Sequence, residues 1–574
     1  MSFSTAFGST RSSTKSRTVS WISRCSSVRS KSMAQVYGRA DRLGPALLPL
    51  VLVGGAAFDN GGYDASTWGW LTLVPLVLVG VAFLFNRVRR PDRLALPFLG
   101  LLAGFTAWTW VSIAWSNAVS ESVLDGERLL LYLAAAAAFI ILGQGRAAEL
   151  LGGLLAAITL VCAWALCLRA FGGSGSYDVA SVSADATRRL AAPLGYSNGL
   201  GLLAAIGILL AVGFALRFRR PLLAAPVLVL GPTLFFTYSR GAWLALGAGA
   251  LGGFALAPPR LPRRTVLAAA AVAAVVLALA LVRVGGPTGA VHQFSHSGPT
   301  VKADKNRRLF SLSGSSRAQY WHVAWREAED HPWLGSGAGS FQRNWLRLRP
   351  AQLPVLDAHS LYLETLAEVG PFGLALLVAL LGVPAVAAFH ARRHRLAAPA
   401  FAGYVAYVVH AAQDWDWELP AVTLAGLCCA AALVVVVRRE PERAVSRTTR
   451  VAVVAAAAVL GLLALAALAG NAALGAATAS LDADNPARAA GDARWAKRLV
   501  PWSADPWRLH GEALLSEGRV DGARRDFQSA LQKDRADWDS WVDLALVTHG
   551  TARNVAVEQA ALLNPLERIS QNGG

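Results

Sequence analysis

Charge is scarce in this chain. Only 16% of its 574 residues are charged, 36 acidic against 54 Lys and Arg, where soluble proteins carry about 25%. A polypeptide so poor in charge cannot keep most of its surface in water. The deficit is concentrated in apolar runs of 17 or more residues, each long enough to cross a hydrocarbon core about 30 Å thick. Cysteine is rare too. Four of the five (Cys162, Cys167, Cys428, Cys429) lie in apolar runs, Cys25 lies in the N-terminal tail, and none has zinc-ligand spacing, which excludes a disulfide framework and a zinc ribbon. There is no Walker loop, no HExxH and no Ser-centred nucleophile elbow. The Gly-rich run Gly335-Ser336-Gly337-Ala338-Gly339 follows no strand of a βαβ unit, so a dinucleotide fold is excluded by context. Its composition reads as a flexible outer turn.

What is present is a membrane pattern. Backbone inside a bilayer must satisfy its own hydrogen bonds, so apolar runs of this length are helices. Candidate spans are 43–58, 68–86, 95–115, 128–143, 148–171, 197–216, 221–237, 240–257, 264–284, 361–389, 396–413, 419–438 and 451–475. The fold class expected is all-α, a polytopic membrane helical bundle of about 12–13 spans. The net charge of +18 is no nucleic-acid signal. Basic residues collect in the N-terminal tail and in short loops such as Arg87-Val88-Arg89-Arg90, Arg217-Phe218-Arg219-Arg220, Arg260-Leu261-Pro262-Arg263-Arg264 and Arg392-Arg393-His394-Arg395. Alternating the loops puts all of these on one side, which the positive-inside rule makes cytoplasmic. The N-terminus is then cytoplasmic, and the loop 285–360 and the C-terminal part are extracytoplasmic.

Three domains are expected. Residues 1–42 form a basic tail rich in Ser, Thr and Arg, without apolar periodicity and expected to be disordered. Residues 43–475 form the transmembrane domain. Residues 476–574 form a small extracytoplasmic helical domain, apolar at helical spacing in Trp507, Leu509, Ala513 and Leu514 and again in Ala523, Phe527, Ala530 and Leu531. These positions look like tetratricopeptide repeats, too few to be stable alone, and should pack against the membrane domain or a partner.

Polar residues at the outer ends of the spans are the chemical candidates. Arg240, in Ser239-Arg240-Gly241, interrupts apolar sequence where a charge must snorkel or pair; Gly241 lets a backbone or ligand come close. A guanidinium never deprotonates and binds phosphate in a bidentate way. Arg188 and Arg189 are basic on the side where basic pairs are scarce, and Asn198 is placed to cap the next helix. Arg317 starts an amphipathic helix that could lie along the membrane surface, or it is an ordinary solvated Arg. His359 stands between a polar loop and an apolar helix, either as a helix-start His bonded to backbone or as a titrating group. Glu364 and Glu368, one turn apart, are expected to orient a neighbour or meet an Arg across the bundle. His410, Asp414, Asp416 and Glu418 with Trp415 and Trp417 read as a solvated turn with interfacial Trp. The turn could still line a sugar site, as could Trp115 with Trp108 and Trp110.

Taken in order, Trp115-Ser116, Arg189 with Gly195-Tyr196-Ser197-Asn198, Ser239-Arg240-Gly241, Arg317 with His331-Pro332-Trp333-Leu334-Gly335, and Ala358-His359-Ser360-Leu361-Tyr362-Leu363 with Glu368-Val369-Gly370 give a pattern that resembles the O-antigen ligase and polymerase superfamily of bacterial envelope enzymes. The resemblance covers roughly residues 45–440. The family pattern has Asn after the His, where Ser360 stands here. The resemblance implies a C-type glycosyltransferase-like fold in the bacterial plasma (inner) membrane. The implied donor is a glycan on a polyprenyl (undecaprenyl) diphosphate carrier, passed to a hydroxyl of a lipid, glycan or protein acceptor on the outer face, without metal or other cofactor. By the resemblance, the arginines matching Arg189, Arg240 and Arg317 hold the diphosphate and the His matching His359 assists attack. Trp115, Asp414 and Trp415 are possible acceptor or sugar contacts.

Two other functions compete. A transporter or flippase of a lipid-linked glycan would place ionisable residues near the bilayer midplane and show internal repeats, neither of which is evident. A scaffold that recruits a protein partner through the tail leaves the outer arginines unexplained.

Overall fold

The computed structural model describes residues 44–86, 92–172, 189–258, 316–353, 355–437 and 444–567, with a few single positions between them. The N-terminal tail 1–42, the span expected at 264–284, most of the loop 285–360 before Ser316, and Arg188 lie outside the described residues.

The described elements are helical. In chain order they are α1 (Gly44–Phe58), α2 (Ala65–Leu84), α3 (Ala95–Val111), α4 (Val119–Leu142), α5 (Ala147–Ala170), α6 (Ser197–Phe218), α7 (Val227–Thr237), α8 (Arg240–Leu256), α9 (Arg317–Asp330), α10 (Phe341–Leu348), α11 (Leu361–His390), α12 (Ala397–His410), α13 (Pro420–Val436), α14 (Arg447–Asp482), α15 (Pro486–Leu499), α16 (Asp505–Ser516), α17 (Val520–Lys533), α18 (Trp538–Leu546) and α19 (Gly550–Leu563). The chain is a multi-pass membrane protein. Among the described residues six helices are long and apolar enough to cross a bilayer outright, α1 and α13 are shorter apolar helices, and α7 joins a one-turn helix to form another. Each described span expected from the sequence coincides with a helix.

Burial ranks the spans. Within α6, 72% of the most apolar stretch is buried against protein, whereas in α14 only 11% is. Thus α6 and the almost wholly buried α13 form the centre, and α14 runs along the periphery on α2. Small residues set these contacts. A Cβ on Gly249 of α8 would come within 2.5 Å of the Ala402 carbonyl oxygen of α12, so the two backbones approach as small-residue faces allow in membranes.

The run expected to be a flexible outer turn, Gly335 to Gly339, is instead packed. Pro371 has no N–H, so the Ala367 carbonyl four residues earlier loses its helical partner. Gly370 then breaks α11 with φ +70 and ψ −177. The loop supplies the missing donors: Ser336 N–H reaches Ala367 O at 3.1 Å and Gly337 N–H reaches Glu368 O at 2.7 Å. Trp108 Nε1 donates to Val369 O at 2.9 Å. A side chain is excluded at Gly335, where a Cβ would meet the Glu368 backbone at 2.3 Å. Below the loop, buried Glu327 accepts from Ser336 and Ser340, tying α9 to the same place.

The C-terminal helices α15 to α19 pack as successive hairpins continuing from α14. They also dock on the loop region. Arg343 of α10 pairs with Asp534, Nη1 to Oδ1 2.7 Å. Arg349 Nη2 donates to Asn564 Oδ1 at 2.8 Å. Ser120 of α4 donates to Ser503 at 3.0 Å. The expectation of packing against the membrane domain is met. Five helices stand here, α16 and α17 where the apolar spacing of 507–514 and 523–531 marked them.

Candidate functional site

α6, α11, α12 and α13 each run between two polar ends of the bundle. One end carries Arg217, Arg219, Arg220 and the Arg392–Arg395 turn. The other is where residues 189–198, 237–241, 357–361 and 410–419 meet. The candidate site residues gather at this second end.

Asp414, in the turn after α12, organises it. Its side chain is 2% exposed and is satisfied from three directions. Arg317 Nη2 lies 3.1 Å from Oδ2, Asn198 Nδ2 donates to Oδ2 at 2.7 Å, and Tyr196 Oη donates to Oδ1 at 2.5 Å. Burial opposes the charge on Asp414, but Arg317, with His410 and His359 behind it, overrides burial and holds the carboxyl at about 2. Arg317 is fixed further by Nε donation to Gln413 O at 2.5 Å. Arg189 joins through Asn198, its Nη2 donating to Asn198 Oδ1 at 2.7 Å while its Nε donates to Thr237 O at 2.9 Å. Asn198 therefore bridges Arg189 to Asp414 and does not cap α6, whose N-cap position is Tyr196 without a side-chain bond. Local capping lost to a tertiary network in which Asn198 serves buried Arg189 and Asp414.

Arg240 opens α8, half-buried. Ser239 caps this helix by accepting Ala242 N–H at 3.2 Å. A Cβ on Gly241 would meet His410 Nε2 at 2.8 Å and Gln413 Nε2 at 3.0 Å. The glycine thus seats the start of α8 against the residue whose carbonyl holds Arg317. Arg189, Arg240 and Arg317 thus stand at the same end of the bundle.

His359 enters from the loop that leads into α11. Its φ is +53, a conformation uncommon outside glycine. Its ring Nδ1 lies 2.6 Å from Asp357 Oδ1, and Tyr320 of α9 packs on the imidazole with ring centroids 5.1 Å apart. The side chain is 22% exposed. Burial disfavours the imidazolium, but Asp357, helped by Asp414, outweighs burial and holds the group above its ordinary value. The bonding is therefore to a carboxylate rather than to backbone alone.

The turn read as solvated is buried. His410 and Asp416 are 0% exposed and bond to each other through Nδ1 and Oδ2. Only Trp415, Trp417 and Glu418 keep partial exposure. Charge density of this kind looks solvated in a sequence; here Arg317 arrives from α9 to pair with Asp414, and His410, six residues from Asp416, turns inward onto it. Trp415 lies against Tyr196, centroids 4.6 Å apart, and Trp115 against Trp108 at 5.4 Å, so both have aromatic packing partners. Glu364 and Glu368 accept backbone N–H groups, from Ala358 at 2.6 Å and Phe341 at 3.0 Å. They hold the loops beside them.

Sequence reasoning missed a second buried network. Arg128 of α4 pairs with Asp125 at 2.5 Å and Glu418 at 3.4 Å. Asp125 and Arg128 line a cavity of about 110 Å³ with Tyr132, Glu364 and Trp417. The spacing Asp125, Arg128 was the available signal, an i,i+3 pair at the start of a span.

Residues 225–378 match the family described as O-antigen ligase. That segment contains Arg240, Arg317 and His359, and Arg189 and Asp414 flank it. The match supports the O-antigen ligase superfamily and, with the helical bundle, a membrane glycosyltransferase-like ligase or polymerase role. It does not extend to the C-terminal helices, and it offers no support for transport. No curated protein matches the chain.

Proposed function

We propose that the protein transfers a glycan from a polyprenyl-diphosphate carrier to an acceptor hydroxyl on the extracytoplasmic side of a bacterial inner membrane. The observation that carries this reading is the linkage of Arg189, Asn198, Asp414 and Arg317 into one network beside His359, with Arg189 and Asp414 buried and Arg317 and Asn198 partly exposed. A guanidinium has five donors in a rigid fork. At Arg189 and Arg317 part of that fork is pinned by carbonyl, amide or carboxylate, which orients the rest. Charge that develops on a departing diphosphate is stabilised by donors that need not reorganise. Arg240, at the positive end of α8, adds to the same field.

In this reading the acceptor oxygen attacks the anomeric carbon as the sugar–phosphate bond breaks, and its electron pair leaves on the diphosphate. One displacement inverts the anomeric configuration. Diphosphate leaves readily, so help is needed chiefly at the acceptor, where His359 takes the hydroxyl proton. Trp115 and Trp415 offer flat apolar faces for sugar rings. The Arg-rich end is cytoplasmic by the positive-inside rule, and the C-terminal helices lie outside with the site. Neither a cofactor nor a metal enters any step of this reaction. The test is incubation of purified protein with polyprenyl-diphosphate-linked glycan and candidate acceptors, with products weighed by mass spectrometry. Release of carrier with formation of an inverted linkage is expected. Absence of any glycosylated product across lipid, glycan and protein acceptors sinks the reading.

A further inference from the structure

We propose that Asp357 is a positioning residue for His359: its carboxylate accepts a hydrogen bond from Nδ1–H and leaves Nε2 as the nitrogen that receives the acceptor's proton. This rests on the glycosyl-transfer reading above. One oxygen, Asp357 Oδ1, lies 2.6 Å from the ring Nδ1 and accepts the His359 backbone N–H at 2.9 Å. An ionised carboxylate only accepts, so Nδ1 must carry a hydrogen. Asp357 is itself 5% exposed, so the pair is shielded from competing water.

The surroundings keep the ring from turning over. The left-handed backbone at His359 is a strained state that persists only when its neighbours over-determine it. They do: Ala358 N–H is held by Glu364, and Leu361 N–H reaches Ala411 O at 2.9 Å. Tyr320 packs on the imidazole. Charged and titratable groups around His359 are Asp357 on its own loop, Asp414 and Glu418 from the turn between α12 and α13, and Arg317 and Tyr320 from α9. Asp357 is the partner in direct contact.

The step balances. The acceptor O–H proton passes to Nε2 while the acceptor oxygen bonds to the anomeric carbon. The carbon–oxygen bond to the diphosphate breaks, with its electrons on the leaving group. The imidazolium so formed is paired with Asp357, which lowers the cost of its charge.

The test is Asp357→Asn in the full-length protein. Asn keeps size and an acceptor oxygen for the His359 backbone N–H, and removes the charge. Expected is a loss in kcat on the order of 10²-fold, with little change in KM for the donor. The acid limb of the pH–rate profile should move to lower pH, because the imidazole loses its carboxylate. The His359 imidazole midpoint followed by NMR should move the same way. Should the Asn variant not fold, Asp357→Glu keeps the charge at a longer reach, and an intermediate kcat with the acid limb in place is expected. An active wild type with unaltered kcat and pH profile in Asp357→Asn overturns the proposal alone, as does a lower kcat without movement of the limb. An inactive wild type removes the transfer reading, and the catalytic step with it.

Discussion

Two His–Asp pairs sit at the same end of the bundle, on either side of Asp414. His359–Asp357 stands on a strained loop and keeps 22% of its imidazole exposed. His410–Asp416 is wholly buried at the end of a helix, its Nε2 without a hydrogen-bond partner and pressed against Gly241. The chemistry of the two pairs is the same; their access to a substrate differs. A pair that can reach a substrate is suited to proton transfer. A pair sealed against backbone can only hold the turn that presents Asp414 and Gln413 to Arg317.

That contrast can be broken by substitution. His359→Ala is expected to lower transfer by roughly 10²–10⁴-fold with a smaller fall in melting temperature than His410→Ala, because Asp357 keeps the His359 backbone N–H as a partner. His410→Ala leaves Asp416 buried without its partner, which costs about 3 kcal/mol or more; its transfer loss should track the loss of folded protein. A folded, inactive His410→Ala beside an active His359→Ala would reverse the assignment. Gly241→Ala drives a methyl into the His410 and Gln413 side chains, an overpacking expected to cost about 1–3 kcal/mol and readable as a drop in melting temperature.

Acid sharpens the contrast further. The carboxyl of Asp414 is held at about 2, below its ordinary 3.8. A depressed carboxyl contributes stability above its unfolded value and loses it as pH falls through the folded one. Melting temperature should therefore decline between pH 3.8 and about 2, and Asp414→Asn should flatten that window. His359 moves in the opposite sense. Its raised value places the rise in transfer rate, as the neutral base appears, above the pH of an ordinary His. The smallest effect is expected far from both pairs. Arg343→Ala removes the contact to Asp534 and should loosen the C-terminal helices by about 1–2 kcal/mol, seen as faster proteolysis of that part with transfer largely retained.

Much of this molecule was legible before folding. The spans follow from apolar length, and Arg189, Arg240, Arg317 and His359 stand out because charge at the outer end of an apolar run needs a reason. Asp357 did not stand out, since an acid in a polar loop is ordinary until an imidazole turns onto it. His410 and Asp416 read as solvated for the same cause: their partners, one turn apart, exclude water only once α8 closes over them. Asn198 shows propensity overruled, a capping residue drawn into a network between Arg189 and Asp414. The glycines of 335–339 looked like slack and are close packing, because a Pro-broken helix elsewhere had carbonyls to satisfy.

The sequence by itself determined that the chain is helical and crosses a membrane many times, because unpaired backbone is intolerable in hydrocarbon and charge is absent over the required length. It also determined which ends are rich in arginine. Only the tertiary structure decided which polar ends converge, since a guanidinium and a carboxylate more than ninety residues apart, Arg317 and Asp414, carry no mark of each other until burial strips their water and the fold brings them within reach.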